Sequence, residues 1–214
     1  MSKPIGKLHV ITDTVIQSRF SHSELAELAI KGGADTIQFR QKTGIIREML
    51  THSRRIKNLC TEAGISFIVN DRLDVAMASK ADGVHLGQDD FPIPLARKIL
   101  GEDIFIGGSA VTLEEARKCF EEGAAYVGFG PVFPTSSKHD AGPVSGIELL
   151  RQVVEAVPVP IIAIGGITPK NTLDVMRTGV KGIAVISAVC KAPDPEEATR
   201  KLLEALRADI KGST

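Results

Sequence analysis

The 214-residue chain has no tryptophan and a single tyrosine, Tyr126. Proteins that bind single-stranded nucleic acid stack its bases on aromatic side chains, so this scarcity argues against such a surface. Net charge is lacking too, because 26 acidic residues balance 26 basic ones. This balance gives no indication of a strongly basic surface that would attract nucleic acid or anionic membranes. Neither partner is therefore expected, and the oligomeric state is left open.

Cysteines are few, and long apolar runs are missing. The three cysteines, Cys60, Cys119 and Cys190, are scattered and odd in number. This usage argues for a reducing compartment and against a disulfide framework or a zinc site. The longest apolar run, around residues 161–164, is far too short to span a bilayer. The first ten residues, MSKPIGKLHV, lack the apolar region of a signal peptide. These features predict a cytoplasmic protein.

The chain does contain one pattern that repeats along its length. A helical segment is followed by a short β-rich run and then by a polar or glycine-rich loop. Apolar runs bounded by turn residues are typical of buried strands. The expected strands are Leu8–Thr12, Thr36–Phe39, 67–69, Gly83–Leu86, 104–106, Tyr126–Phe129, 160–164 and 183–186. The expected helices are 23–31, 45–62, Leu73–Ser79, 92–100, 112–122, Gly146–Ala156, 169–178 and 195–209.

Eight strand–helix units without a linker between them predict a (β/α)₈ TIM barrel, since eight parallel strands close such a barrel. We expect a single domain over residues 1–214, with 212–214 as a frayed tail. A doubly wound open sheet is the alternative. It ranks lower because the first strand is not followed by a glycine-rich dinucleotide-binding turn. A barrel binds its substrates on the loops that follow the strands, so the residues at the strand ends carry the functional prediction.

Two acids, Asp71 and Asp90, follow successive expected strands. Parallel strands point their carboxyl ends the same way, so both carboxylates are expected on one face, where they could hold a single Mg²⁺ ion or take part in proton transfer. The alternative is that they cap the helices that follow, because Asp is a preferred N-cap residue. The neighbouring Asp89 could support the metal ligands or cap a helix, and the helix cap is favoured.

Cations and hydroxyls follow other strands. Arg40, Lys42 and Lys138 face the two acids, a combination suited to an anion held by basic side chains and a carboxylate-bound metal. Gly165-Gly166 and Ser187 follow the seventh and eighth strands, where barrels often bind phosphate through backbone N–H groups. Two anion sites on one face predict two phosphorylated small-molecule substrates.

These residues resemble the thiamine-phosphate synthase, or thiamine-phosphate pyrophosphorylase, family over nearly the whole chain. The motifs that carry the resemblance are QFRQK at 38–42, VNDR at 69–72, GVHLGQDD at 83–90, GPVFPTSSK at 130–138 and AIGGI at 163–167. The resemblance implies a transferase of thiamine biosynthesis. It would join 4-amino-5-hydroxymethyl-2-methylpyrimidine diphosphate to 4-methyl-5-(2-hydroxyethyl)thiazole phosphate, giving thiamine phosphate and pyrophosphate. Mg²⁺-assisted loss of pyrophosphate would leave a pyrimidine carbocation, which the thiazole nitrogen captures.

The resemblance also implies a role for each motif residue. Asp71 and Asp90 would bind Mg²⁺, and Arg40, Lys42, Asn70 and Lys138 would hold the diphosphate. Gln38 and Ser109 would lie near the pyrimidine. Thr135, Ser137, Gly166, Ile186 and Ser187 would bind the thiazole phosphate. Of these residues, Arg40, Ser109 and Lys138 are the expected catalytic ones. Departures from the family pattern are small: Gln41 stands where Glu is usual, and Ser137 where Thr is commoner.

Two other functions fit the same fold. A thiazole tautomerase resembles this family but lacks the paired acids and has a histidine shortly after the serine equivalent to Ser109, where this chain has Val111. A non-enzymatic sensor of thiamine phosphate would not need Asp71, Asp90 and Lys138, which are all present. The synthase is therefore the preferred prediction. His9 and His85 are expected to be hydrogen-bonded core residues, and His22 to be solvated.

Overall fold

Eight short parallel strands form a closed barrel in the computed structural model, which describes residues 5–137 and 142–208. Each strand pairs with the next, and the first pairs with the last, with Leu8 opposite Ile183. The strands are β1 (Leu8–Thr12), β2 (Thr36–Phe39), β3 (Ser66–Asn70), β4 (Gly83–Leu86), β5 (Phe105–Ala110), β6 (Tyr126–Phe129), β7 (Ile161–Ile164) and β8 (Gly182–Val185). This is the (β/α)₈ barrel that the sequence predicts.

Helices follow the strands and cover the barrel. They are α1 (His22–Lys31), α2 (Ile46–Glu62), α3 (Leu73–Ser79), α4 (Ile93–Leu100), α5 (Leu113–Glu121), α6 (Gly146–Ala156), α7 (Thr172–Met176), α8 (Ser187–Cys190) and α9 (Pro195–Ala208). Helix α5 begins with a capping box, in which Thr112 Oγ1 accepts from the Glu115 N–H and the Glu115 carboxylate accepts from the Thr112 N–H. The expected frayed tail at 212–214 lies outside the described residues. No helix within the described ranges is long and apolar enough to cross a membrane.

The sequence prediction is wrong for the end of β5, and it misses α8. The fifth strand was expected over residues 104–106, but β5 continues through Gly107 and Gly108 to Ala110. A Cβ atom on Gly107 would lie 2.2 Å from the Tyr126 ring, and one on Gly108 would lie 2.6 Å from Cys119 Sγ. The glycines are therefore part of the strand, where neighbouring side chains pack against its backbone. Helix α8 has four residues, which is too short for a periodic pattern.

Alternate residues of each strand point into and out of the barrel. On β2, Ile37 and Phe39 belong to the larger apolar cluster between the strands and the helices. A second cluster contains Ile11, Ile68 and Ile162 around Tyr126. Polar side chains are buried with this second cluster, among them His9, Gln38 and His85. The barrel interior is therefore partly polar.

His22 is buried, contrary to the expectation that it is solvated. It is 2% exposed, and its ring nitrogens bond to Thr12 Oγ1 at 2.9 Å and to Thr14 Oγ1 at 3.1 Å. Its pKa is lowered to about 4, chiefly by burial and also by His52, while Asp13 and a backbone hydrogen bond at Thr12 act in the opposite direction. Burial also lowers the pKa of His9 to about 4. Both histidines are therefore neutral in the folded protein at neutral pH.

Candidate active site

A cavity of about 220 Å³ opens at the carboxyl ends of the strands. It brings together residues that the sequence places far apart, from the loop after β2 to the start of α8. The sequence-predicted site residues that line it are Lys42, Asp71, Asp90, Ser109, Thr135, Ser137, Gly166, Ile186 and Ser187. The arrangement agrees with the rule that barrels hold their sites on this face.

Three predicted residues do not line this cavity. Gln38 and Asn70 line a smaller cavity of about 30 Å³ within the barrel, and Ser109 lines both cavities. Arg40 lines neither of the two. The predicted Lys138 lies outside the described residues.

Asp71 follows β3 in an unusual backbone conformation. Its φ of 63° lies in the left-handed region, which non-glycine residues adopt uncommonly. Its N–H donates to the His85 carbonyl at 2.9 Å, which joins it to β4. The Lys42 ammonium lies 3.7 Å from the Asp71 carboxylate. The Asn70 amide nitrogen, when it faces Asp71, donates to the same carboxylate at 2.9 and 3.3 Å.

Asp90 is held by the loop that follows β4. Its carboxylate accepts a hydrogen bond of 2.7 Å from the Gly87 N–H. The N-cap residues of α3 and α4 are Arg72 and Pro92, and neither helix start has a side-chain cap. The alternative that Asp71 and Asp90 cap these helices is therefore wrong. The same holds for Asp89, which lines the large cavity instead.

The two carboxylates fit a magnesium ion better than a softer metal. Their donor atoms are hard oxygens, and Mg²⁺ is commonly held by one or two carboxylates with water and substrate phosphate completing six ligands. The described ranges contain no cluster of three or more His, Cys, Asp and Glu side chains suited to a metal. This donor set therefore matches an ion that depends on its substrate for part of its coordination.

Arg40 is engaged by a partner that the sequence did not reveal. Its guanidinium donates to the Asp13 carboxylate at 2.5 Å, and the two side chains are 12% and 1% exposed. Asp13 follows β1, and Arg40 follows the neighbouring β2, where Thr12 lies opposite Phe39. The Arg40 Nε is buried and has no hydrogen-bond partner among residues 5–137 and 142–208. The ends of two adjacent strands thus bury a paired charge.

Hydroxyl groups and glycines form the opposite side of the cavity. Ser137 Oγ donates to Ser187 Oγ at 2.9 Å, which connects the loop after β6 to the start of α8. Thr135 Oγ1 accepts from the Ser137 N–H at 3.2 Å. Gly165 and Gly166 have φ values of 98° and 63°. A Cβ atom on Gly166 would lie 2.6 Å from the Pro134 carbonyl oxygen. The loop after β6 therefore leaves no room for a side chain at position 166.

Two further polar residues contact the site. His85 Nε2 lies 2.8 Å from Ser109 Oγ, and His85 Nδ1 lies 2.9 Å from the Tyr126 hydroxyl. The prediction of a hydrogen-bonded core histidine is confirmed at this position, but its bond to a site residue was missed. The strand period could have found it, because residues of adjacent strands at matching depth share the barrel interior. Val111 lines the large cavity where the tautomerase pattern has histidine.

Known proteins resemble this chain over most of its length. The family model described as thiamine monophosphate synthase matches residues 8–189. A thiamine-phosphate synthase from Salinibacter ruber is 52% identical over 204 residues, covering 95% of this chain and 90% of the relative. One from Methanocella arvoryzae is 49% identical, covering 91% and 92%. A solved thiamine phosphate pyrophosphorylase from Pyrococcus furiosus is 43% identical, with a TM-score of 0.87 over 95% of this chain and 96% of that structure.

Proposed function

The chain belongs to the thiamine monophosphate synthase family and is a thiamine-phosphate-forming transferase, and from this premise we propose how its cavity holds the reactants. The observation that carries the proposal is that one cavity contains both Asp71 and Asp90 beside Lys42, together with Gly166 and Ser187 on its other side. One side suits a diphosphate with its metal, and the other suits a monophosphate.

The diphosphate of the pyrimidine substrate binds beside Asp71. Lys42 lies 3.7 Å from that carboxylate, close enough to contact a phosphate next to it. Asp71 and Asp90 would hold Mg²⁺, which supplies charge neutralisation on the diphosphate. Asn70 orients the Asp71 carboxylate, and Gly87 orients that of Asp90 through its N–H. Arg40 and Lys138 are assigned to the same diphosphate, with Arg40 held in place by Asp13.

The thiazole phosphate binds among the hydroxyls on the other side. The hydroxyl of Ser187 and the backbone around Gly166 are placed to donate to its phosphate, as in other barrel phosphate sites. Thr135 and Ser137 contact the thiazole. Ile186 contributes an apolar surface, because it lines the same cavity. The pyrimidine ring reaches inward to Gln38 and Ser109, which border the smaller cavity.

This assignment gives the protein a role in positioning rather than in covalent catalysis. Pyrophosphate departure leaves a carbocation on the pyrimidine, and the thiazole nitrogen supplies the electron pair of the new C–N bond. Side chains that neutralise the leaving group, exclude water and align the second reactant are sufficient for such a step. Both substrates carry ionised phosphates, which do not cross membranes unaided, and this agrees with a cytoplasmic reaction.

The test is to replace each proposed metal ligand by its amide. We expect Asp71→Asn and Asp90→Asn to lower kcat by roughly a hundredfold or more, as losses of electrostatic stabilisation do. EDTA should abolish thiamine phosphate formation, and excess Mg²⁺ should restore it. The matched control is Asp74→Asn, because Asp74 pairs with Arg72 on the surface and is 52% exposed. Undiminished turnover in EDTA would show that the assignment of the two acids is wrong.

A further inference from the structure

Four polar side chains connect the large cavity to the barrel interior. Ser109 Oγ lies 2.8 Å from His85 Nε2, His85 Nδ1 lies 2.9 Å from the Tyr126 hydroxyl, and Gln38 Nε2 lies 3.5 Å from that hydroxyl. We call these residues the interior network. Gln38, His85 and Tyr126 are buried, whereas Ser109 also borders the large cavity. Ser109 is therefore the member that can reach a ligand there.

The hydrogen positions in the interior network depend on the tautomer of His85, and the partners of Tyr126 favour one of the two. Tyr126 is fully buried, and burial raises the pKa of its hydroxyl, which stays protonated. An amide nitrogen can only donate, so the hydroxyl oxygen accepts from Gln38 Nε2. The single hydroxyl hydrogen is then donated to His85 Nδ1, the closer partner. A neutral imidazole with an accepting Nδ1 carries its hydrogen on Nε2.

This tautomer determines what Ser109 can do. His85 Nε2–H donates to Ser109 Oγ, so the serine oxygen accepts inside the barrel and its own hydrogen is available to the cavity. We propose that His85 and Tyr126 are positioning residues that fix the Ser109 hydroxyl as a hydrogen-bond donor to an acceptor nitrogen of the pyrimidine ring. The inference rests on the proposed function, in which the pyrimidine reaches Ser109.

Gln38 supplies independent support. Its Oε1 atom is buried without a hydrogen-bond partner in the described part of the chain. Such an atom is costly to leave unpaired, so it is suited to accept from a ligand donor. Gln38 and Ser109 border the same small cavity. Together they offer one acceptor and one donor, which matches an amino group beside a ring nitrogen on an aminopyrimidine.

The packing keeps the two rings of the interior network in place. His85 and Tyr126 stack with ring centroids 5.4 Å apart and an interplanar angle of 29°. A Cβ atom on Gly128 would lie 3.0 Å from His85 Cε1, and one on Gly107 would lie 2.2 Å from the Tyr126 ring. Strand backbone therefore lies against both rings. Their nitrogen and oxygen atoms are consequently held at fixed positions relative to Ser109.

The first test is a double-mutant cycle. Tyr126→Phe removes the hydroxyl and leaves the ring packing intact. We expect it to raise the KM for the pyrimidine diphosphate by about tenfold, the order of one directed hydrogen bond, and to leave the KM for thiazole phosphate within about twofold. In a Ser109→Ala background the same change should have no further effect on either constant. Equal effects in the two backgrounds, or equal shifts for both substrates, would overturn the proposal.

The second test is an NMR measurement on the protein without substrate, so its outcome does not depend on the proposed function. The ¹⁵N NMR shifts of the His85 ring distinguish a protonated Nε2 from a protonated Nδ1. We expect the Nε2–H tautomer in the unsubstituted protein and an altered tautomer ratio in Tyr126→Phe. A separate kinetic comparison does use substrate: His85→Gln, which keeps an N–H donor near the Nε2 position, should retain a lower KM for the pyrimidine diphosphate than His85→Leu. An Nδ1–H tautomer in the unsubstituted protein would exclude the assigned direction of the hydrogen bonds.

Discussion

Asp13 and Arg40 form the most buried ion pair among the described residues. A charge that loses its partner in such a site keeps its desolvation cost and gains nothing in return. Arg40 was predicted from its motif, whereas Asp13 was not. A single Asp after a strand is common, and only the register of β1 against β2 brings it to Arg40. Asp13 therefore acts on the site through Arg40.

We expect Asp13→Asn to lower the free energy of unfolding by about 3 kcal/mol, in the range found when one partner of a buried pair is removed. The double variant Asp13→Asn/Arg40→Met should lose less than the sum of the two single losses, because no unpaired charge remains. Urea unfolding measures these values. Glu27→Gln is the control, since its exposed partner Lys31 stays in water. Additive losses would mean that the pair is not coupled.

The sequence suggested that position 166 requires glycine because a phosphate approaches its backbone. The structure shows a second reason, which is that neighbouring protein atoms leave no room for a side chain. Its φ is 63°, and an added Cβ would lie 2.7 Å from Phe133 Cβ. Gly64 has a φ of 70° with no atom within 4 Å of an added Cβ. The strain of a left-handed alanine, roughly 1–2 kcal/mol, is therefore common to both positions.

Gly166→Ala should consequently lower the melting temperature more than Gly64→Ala, because only the former adds a collision. Thermal unfolding of the two variants, without ligands, makes the comparison. Equal shifts would indicate that the loop around Phe133 moves aside, and that phosphate contact is the remaining reason for glycine.

Among the secondary structure elements, the predictable ones were those with a clear local pattern. The strands β1, β2, β4 and β6 have the bounds that their apolar runs indicate. The end of β5 was not predictable, because Gly107-Gly108 resembles a turn unless the Tyr126 ring is known to lie beside it. The position of the strand-end residues in one cavity was predictable once the barrel was predicted, because parallel strands bring their carboxyl ends to the same face. The alternation along each strand indicates which side chains point into the barrel, but the contacts of the interior network depend also on the register between strands, which one sequence does not show.

In the proposed assignment, the loops around the cavity divide between the two substrates. Ser187→Ala removes a donor at the start of α8, and a bond to a charged group contributes about 1.5–3 kcal/mol. We expect it to raise the KM for thiazole phosphate by roughly ten- to a hundredfold, with little change for the pyrimidine diphosphate. Lys42→Ala, in the loop after β2, should show the opposite preference. Saturation curves for both substrates test the division, which is wrong if both variants weaken binding of the same substrate.

The stability of the whole barrel should depend on pH through its buried histidines. His9 and His22 have pKa values of about 4 in the folded protein, against the ordinary histidine value of 6.5 expected in the unfolded chain. Between these values the unfolded chain binds more protons than the folded one, so stability falls as the pH falls. At pH 5 each histidine should cost about 2 kcal/mol relative to pH 7.

Urea unfolding at pH 7 and pH 5 measures this loss. His22→Gln should reduce the difference between the two pH values, because it removes one of the two groups. The charged groups near His22, Asp13 and His52, oppose each other in their effect on its pKa. A difference that is unchanged in His22→Gln would mean that other groups cause the acid sensitivity.

Closure of the barrel between β1 and β8 also constrains the order of events during synthesis. The Lys7 carbonyl accepts from the Ile183 N–H, so the first strand completes its pairing with a segment made about 175 residues later. At ribosomal rates of about 5–20 residues per second, the outer edge of β1 waits roughly 10–35 s for its partner. Until then the nascent chain exposes two unpaired strand edges, which can pair with other chains. A messenger RNA truncated before codon 182 would therefore produce a chain without β8, in which the barrel cannot close and two strand edges stay unpaired. We expect such a chain to aggregate or to be bound by chaperones.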